Sequence, residues 1–261
     1  MISDDHPLAM FLRAFIIQSI SYFAVAGLVF LLVWKWGRDR FAGARIISRG
    51  PRFGRRQLAF ELKNTLVTLA VGTTNAVVVS LLYASGATRI TTDAAALGWP
   101  AVVGGLIGFL LFNDAWFYGW HRLLHHPKLF RHVHAVHHKS VDVNPFSSYS
   151  FHAVEALLMG SAVIPAVLVV PLYLPVLAVA QVIGLANNLM SHLGYEFLPR
   201  WFVQVVPLRW MNTATYHSLH HMRLTGNFGL LFRFWDILFG TEVPGYERAF
   251  LRRASAGDPA E

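Results

Sequence analysis

The chain has 261 residues, of which 55% are hydrophobic and only 14% charged. That charged share lies far below the roughly one quarter typical of soluble domains, which excludes an ordinary soluble fold. The net charge of +8 does not point to nucleic acid, because the basic loops lack the aromatic interleaving that base stacking uses. With no cysteine in the sequence, disulfides, cysteine-ligated iron–sulfur clusters and thiolate-ligated haem are also excluded.

Taken in order, the chain alternates apolar stretches with polar loops. Asp4 and Asp5 stand where a cleavable signal would be basic, so the first apolar segment is expected to remain as an anchor. Residues 14–34, 64–88 and 94–113 contain no Asp, Glu, Lys or Arg, and each matches the ~20 apolar residues that one membrane span needs. The expected spans are 8–34, 58–84 and one starting near Gly98, with a basic loop at 35–57 and a short connection at 84–93. Residues 127–150 are polar and rich in histidine, and Asn144-Pro145 is a helix break. Residues 156–195 form a 40-residue uncharged stretch carrying only His192. It is long enough for two spans or a re-entrant hairpin, with Pro165, Pro171 and Pro175 as the place to turn. From Leu198 aromatics alternate with basic residues, as suits a cap lying on the membrane surface.

The basic residues set an orientation. Nine lie between the first two spans, from Lys35 to Lys63. Arg122, Lys128, Arg131 and Lys139 follow the third span, and seven more lie between Arg200 and Arg253, so all but Arg13 and Arg89 of the 22 are accounted for. Five crossings with the N-terminus outside put them all on one side, which the positive-inside rule makes cytoplasmic. The expected fold is an all-α integral membrane protein with four or five transmembrane helices and a cytoplasmic helical cap. It divides into an N-terminal anchor (1–96), a histidine-rich domain (97–245) and a polar C-terminal tail (246–261).

Twelve of the 13 histidines lie between His121 and His221. His121 and His125 form an H-x-x-x-H pair. His134, His137 and His138 form H-x-x-H-H, and His217, His220 and His221 repeat it. Residues at i, i+3 and i+4 share one side of a helix, so each group is expected to aim its imidazoles at one point. Eight imidazoles exceed what one tetrahedral zinc takes, which argues for two metal ions. His6 reads as a tail residue, and His126 and His132 as surface or supporting groups.

These boxes resemble the fatty acid hydroxylase superfamily, which includes the sterol desaturases. The resemblance runs from about Asn113 to Val243. It takes in Asp114, Tyr118, Asn144, His152, Glu155, the run Asn227-Phe228-Gly229, and Trp235 to Thr241. It implies a di-iron centre, with zinc as a possible substitute on overexpression, and O2 as co-substrate. It also implies a further ligand pair before the last box. His192 matches one member, while Asn188 stands where a second histidine is often found. Asp114, Tyr118, His121 and His125 fall on one helical stripe. Asp114, with Glu155 and Asp236, is a candidate carboxylate to receive the second N–H of a metal-bound imidazole.

The expected activity is oxidation of a lipid C–H bond, hydroxylation ahead of desaturation. A membrane haem electron carrier or a metal transport protein are the alternatives. The sequence offers no cysteine and no dinucleotide fingerprint, so a separate reductase, ferredoxin or cytochrome is expected to supply electrons. Arg131, Lys139, Arg223 and Arg233 are the candidate docking residues. The expected location is a membrane of the bacterial inner type.

Overall fold

The computed structural model describes residues 6–46 and 53–257. Asp4, Asp5, Arg49 and Arg52 lie outside them. Helix α1 (Pro7–Phe30) continues as a π-helical turn over Leu31–Trp36 and is followed by α2 (Arg55–Ala84). After strand β1 (Ile90–Thr91) and the short α3 (Ala94–Leu97) comes α4 (Trp99–Leu124). The histidine-rich stretch contains α5 (Pro127–Leu129), a π turn at Phe130–His134 and α6 (Ala135–His138). Then come α7 (Ala153–Gly160), α8 (Val163–Val169), β2 (Leu172–Tyr173) and α9 (Leu174–Ser191). The cap ends with α10 (Ala214–Arg223), α11 (Phe234–Leu238) and α12 (Tyr246–Gly257).

Among the described residues, four helices are long and apolar enough to cross a membrane: Pro7–Trp36, Arg55–Ala84, Trp99–Leu124 and Leu174–Ser191. The protein is an all-α integral membrane protein. Helices dominate because an apolar stretch in lipid must satisfy every backbone N–H and C=O within itself. Large side chains such as Ile17, Ile20, Trp99 and Val182 are more than half exposed, as expected where lipid rather than protein covers them.

The 156–195 stretch resolves into one full-length helix and a shorter broken one. The break between α7 and α8 falls at Ser161-Ala162, not at a proline. Pro165 sits in the first turn of α8, where its missing N–H costs nothing. Pro171 and Pro175 do flank the turn. There β1 and β2 pair in parallel, Ile90 opposite Leu172, and the Arg89 amide donates to the Val167 carbonyl at 2.8 Å. The α7–α8 pair therefore carries the chain from the histidines to the opposite end of the bundle, and α9 returns it.

The C-terminal segment read as a polar tail is largely helix α12. Tyr246 and Phe250 are buried with Tyr216, Phe202 and Val203 in one core cluster. A Tyr-x-x-x-Phe pair on one face, among charged neighbours, is enough to dock a short amphipathic helix.

At the histidine end Arg45 fastens three segments. Its guanidinium pairs with Asp142, donates to the Gly194 carbonyl at 2.7 Å, and lies over the Trp34 ring at 4.1 Å. The Trp34 indole N–H donates to the Leu193 carbonyl at 2.8 Å. These bonds hold the end of α1 against the exits of α6 and α9. Arg45→Leu leaves Asp142 buried without its cation, so a loss of roughly 1–3 kcal/mol is expected. Thermal unfolding in detergent should show a clear drop for Arg45→Leu and almost none for exposed Arg38→Leu.

Candidate metal centre

Nine histidines converge in two groups. His121, His125, His134, His138 and His220 form one; His137, His192, His217 and His221 form the other. Within each group the candidate ligand atoms lie within 4.8 Å of one another. These are the nine positions singled out from the sequence, but their division differs from the expectation of one point per box. Each H-x-x-H-H box serves both groups. Successive residues on a helix are ~100° apart, so i and i+4 nearly align while i+3 diverges. His134 and His138 therefore join the first group and His137 the second. On α10, His217 and His221 join the second group and His220 the first. Because both H-x-x-H-H boxes feed both groups, the two centres must be neighbours.

Four of the nine outer ring nitrogens are locked. His121 Nδ1 donates to the Phe228 carbonyl, His220 Nδ1 to the Gly226 carbonyl and His134 Nδ1 to the Glu155 carboxylate, each at 2.7 Å. His192 Nδ1 donates to the Asn188 backbone carbonyl at 2.9 Å. An oxygen that can only accept fixes the proton on Nδ1, so Nε2 carries a bare lone pair. Yet His121 Nε2 lies 3.1 Å from His134 Nε2, and His138 Nε2 3.0 Å from His134 Nε2. In the second group His192 Nε2 is 3.0 Å from His217 Nε2, and His221 Nε2 3.1 Å from His217 Nε2. His125 Nε2 is buried with no hydrogen-bond partner.

Burial, reinforced by neighbouring imidazoles, pushes His134, His137, His138, His217 and His221 well below the usual range. Burial likewise lowers His220 and takes His192 to about 4. The rings are neutral at physiological pH, and in the His121–His134 pair, where both Nδ1 protons are fixed, no proton mediates between the two Nε2 lone pairs. Nitrogens bonded at about 2.1 Å to one cation and at right angles to each other stand roughly 3.0 Å apart. The donor set thus fits two metal ions, and without them the lone pairs face one another uncompensated.

The four supporting side chains divide into distinct roles. Glu155 meets His134 directly. Asp114 does not reach an imidazole: its Oδ1 accepts the Leu231 amide at 2.6 Å, which pins the loop after α10 to α4. The helical stripe is correct, but Asp114 lies two turns from His121, so the nearest donor is the loop backbone. Asp236 accepts the Phe228 and Gly229 amides at 2.9 and 2.8 Å and the Thr241 hydroxyl at 2.6 Å. Because Thr241 spends its proton on Asp236, Tyr118 donates its own to Thr241 at 2.9 Å. Asp236, Thr241 and Tyr118 therefore hold the loop whose Phe228 carbonyl orients His121. Gly226 and Gly229 are required in that loop, since a Cβ on either would stand 2.1 Å from the carbonyl of Thr241 or Phe232.

His126, His132 and His152 stay outside both groups. His126 and His152 cap short helices through the Lys128 and Val154 amides, and exposed His132 accepts from Arg131. Asn188 donates its side-chain amide to the Ser148 carbonyl at 2.8 Å while lining the small cavity bounded by His137, His192 and His217. The Phe228 and Gly226 carbonyls and Thr241 were not identified as functional from the sequence. The run containing Asn227-Phe228-Gly229 was the available signal.

An adjoining cavity of about 600 Å³ runs between α1, α2, α4, α7 and α9. Phe117, Phe151, Met159, Asn188 and Leu230 line both it and the small cavity at the histidines.

A helical membrane bundle that gathers two abutting histidine clusters at one end, beside an apolar chamber, defines a class of membrane protein. The chain belongs to the fatty acid hydroxylase family, whose profile matches residues 106–241. It is similar to methylsterol monooxygenase 1 of Gallus gallus, 30% identical over 144 residues, covering 55% of this chain and 48% of that protein. Lathosterol oxidase of Rattus norvegicus is 28% identical over 197 residues, 75% of this chain and 64% of that protein. The Delta(7)-sterol 5(6)-desaturase of Leptosphaeria maculans is 25% identical over 253 residues, 94% and 64% respectively. The chain spans about half the length of the first and less than two thirds of the other two. No solved structure matches it at a significant level. These relatives are eukaryotic and lend no support to a membrane of the bacterial inner type.

A metal-bound imidazole is tuned by the partner of its other nitrogen, and loss of such a partner typically costs 10–100-fold in metal affinity. Glu155→Ala should weaken metal binding by about that factor in chelator competition. Asp114→Asn should lower thermal stability while leaving metal affinity within a few-fold.

Proposed function

We propose that this chain is a membrane-bound oxidoreductase that uses two histidine-held metal ions, iron in the active form, and O2 to oxidise a lipid C–H bond. Hydroxylation is favoured over desaturation. The observation that carries the reading is the shared wall: the histidine clusters adjoin a chamber that opens among membrane-spanning helices. The names of the relatives, a monooxygenase, an oxidase and a desaturase of sterols, support the same chemistry on a lipid.

Iron held there would supply the activation of O2, with electrons delivered from outside the chain. The residues of the chain do the rest. Nine imidazoles hold the ions, and Glu155 with the carbonyls of Phe228, Gly226 and Asn188 keeps the rings turned inward. Phe117, Phe151, Met159 and Leu230 exclude water and present one stretch of the lipid to the histidines. Asn188, where the resemblance expects a histidine, stands at the same wall beside the four-histidine group. The compact clusters argue against a haem carrier, whose axial histidines stand singly on facing helices.

The histidine end is proposed to face the cytoplasm, with the N-terminus outside. An impermeant thiol reagent applied to intact cells should label a cysteine at Ala87 and spare one at Arg40. The reverse pattern would invert the orientation.

Electrons are proposed to come from a separate acidic carrier. Arg131, Lys139 and Arg223 are exposed and suited to meet it, whereas Arg233 is buried and paired with Glu242 and Glu247, so it is withdrawn from the docking face. Purified protein supplied with lipid and O2 should turn over only after a reductant system is added. With an acidic carrier the rate should fall as salt passes about 0.15 M, where screening shortens to ~8 Å. Multiple turnovers without a donor would contradict the scheme.

A further inference from the structure

The chamber contains polar groups that a plain hydrocarbon chain would leave unused. Asn75, on α2, is 5% exposed, and its Nδ2 has no hydrogen-bond partner; nor has the Thr68 hydroxyl. Both line the chamber. They are seven residues apart on α2, two turns along the same face. Asn113 from α4 and Gln181 from α9 line the same space. A buried amide without a partner is destabilising, and hydrocarbon offers no water to relieve it. An apolar tunnel built for alkyl chains has no reason to carry these groups.

Their depth follows from the helices. A Cβ on Gly160 of α7 would meet Asn75 Nδ2 at 3.4 Å, so Asn75 lies level with Gly160. One and a half turns earlier on α7, Glu155 bonds His134, a rise of about 8 Å. On α4, Asn113 precedes His121 by about 12 Å. Asn75 therefore lies well inside the bundle, away from the histidine end, while Thr68, seven residues earlier on α2, lies about 10 Å nearer to it.

We propose that Asn75 forms a polar subsite for a neutral oxygen, hydroxyl or carbonyl, that the lipid carries roughly 8–12 Å from the carbon presented to the histidines. The Asn75 amide offers both a donor and an acceptor to such a group. A carboxylate would be excluded because the described lining contains no cation to pair with it. The substrate class is thus a neutral oxygenated lipid bound with its oxygen pointing away from the metals. This inference rests on the proposed lipid oxidation only for the identity of the ligand as substrate.

The test is lipid retention by the full chain in phosphatidylcholine nanodiscs. Two matched pairs serve as probes, cholestanol with cholestane and hexadecanol with hexadecane, each quantified by mass spectrometry against empty nanodiscs. Wild type should retain at least one alcohol about three- to tenfold better than its hydrocarbon, the span of one neutral hydrogen bond. Asn75→Leu should abolish that preference, and Thr68→Val, about 10 Å nearer the histidines, should leave it in place, with metal content unchanged as the control for folding. Equal retention within both pairs by wild type, retention of no probe, or an undiminished preference in Asn75→Leu would overturn the subsite. The readout needs no turnover, so an intact preference in a protein that oxidises nothing would count against the oxidase reading alone.

Discussion

The structure depends on burying imidazole lone pairs that point at one another. The bare Nε2 atoms of His121 and His134 stand 3.1 Å apart, similar contacts recur in both groups, and burial keeps the surrounding rings unprotonated. A proton cannot relieve the crowding cheaply, because a charged ring here would be far from water. Cations can, since one ion accepts several lone pairs at once. Whatever holds the rings in place must therefore act from their outer side, through Nδ1.

That requirement explains the cap. Phe228, Gly226 and Asn188 offer backbone carbonyls, and Glu155 offers a carboxylate, each to one Nδ1. Backbone carbonyls are placed accurately only if their loops are fixed, and the loop after α10 is fixed twice. Asp114 holds it from α4 through the Leu231 amide, and Asp236 holds it from α11 through the Phe228 and Gly229 amides. Glycine at 226 and 229 lets the chain pass close to its own carbonyls. Arg45 and Trp34 perform the same task at the other edge, binding the exit of α9 next to His192. The long helices then place the clusters at one end of the bundle and leave the chamber beside them.

Much of this was legible in the sequence because its carriers have strong periodicity or unusual composition. Uncharged stretches of membrane length located α1, α2, α4 and α9, the boxes identified eight of the nine histidines, and the family resemblance added His192. The division of each H-x-x-H-H box between two centres was less accessible, although the 100° step of the helix implies it. Glu155 was recognised as a carboxylate near the boxes and meets His134. Asp114 was recognised for the same reason but is taken by a loop amide, a choice set by tertiary packing. The carbonyl partners were hidden, since a backbone oxygen has no residue identity. The helix α12 was also missed, because two aromatic residues among charges give a weak signal at a chain end. The break between α7 and α8 ignores the nearest proline, whose place in a first turn is compatible with helix.

The central claim is that the two clusters hold one metal ion each. Elemental analysis of purified protein, wild type and His217→Ala, tests it most directly. His217 belongs to the four-histidine group alone, so its removal should empty that centre and leave the five-histidine centre filled. The account predicts two metal ions per chain in wild type, iron in active preparations, and close to one in the variant. One ion or none in active wild-type protein, or an unchanged content in the variant, would contradict it.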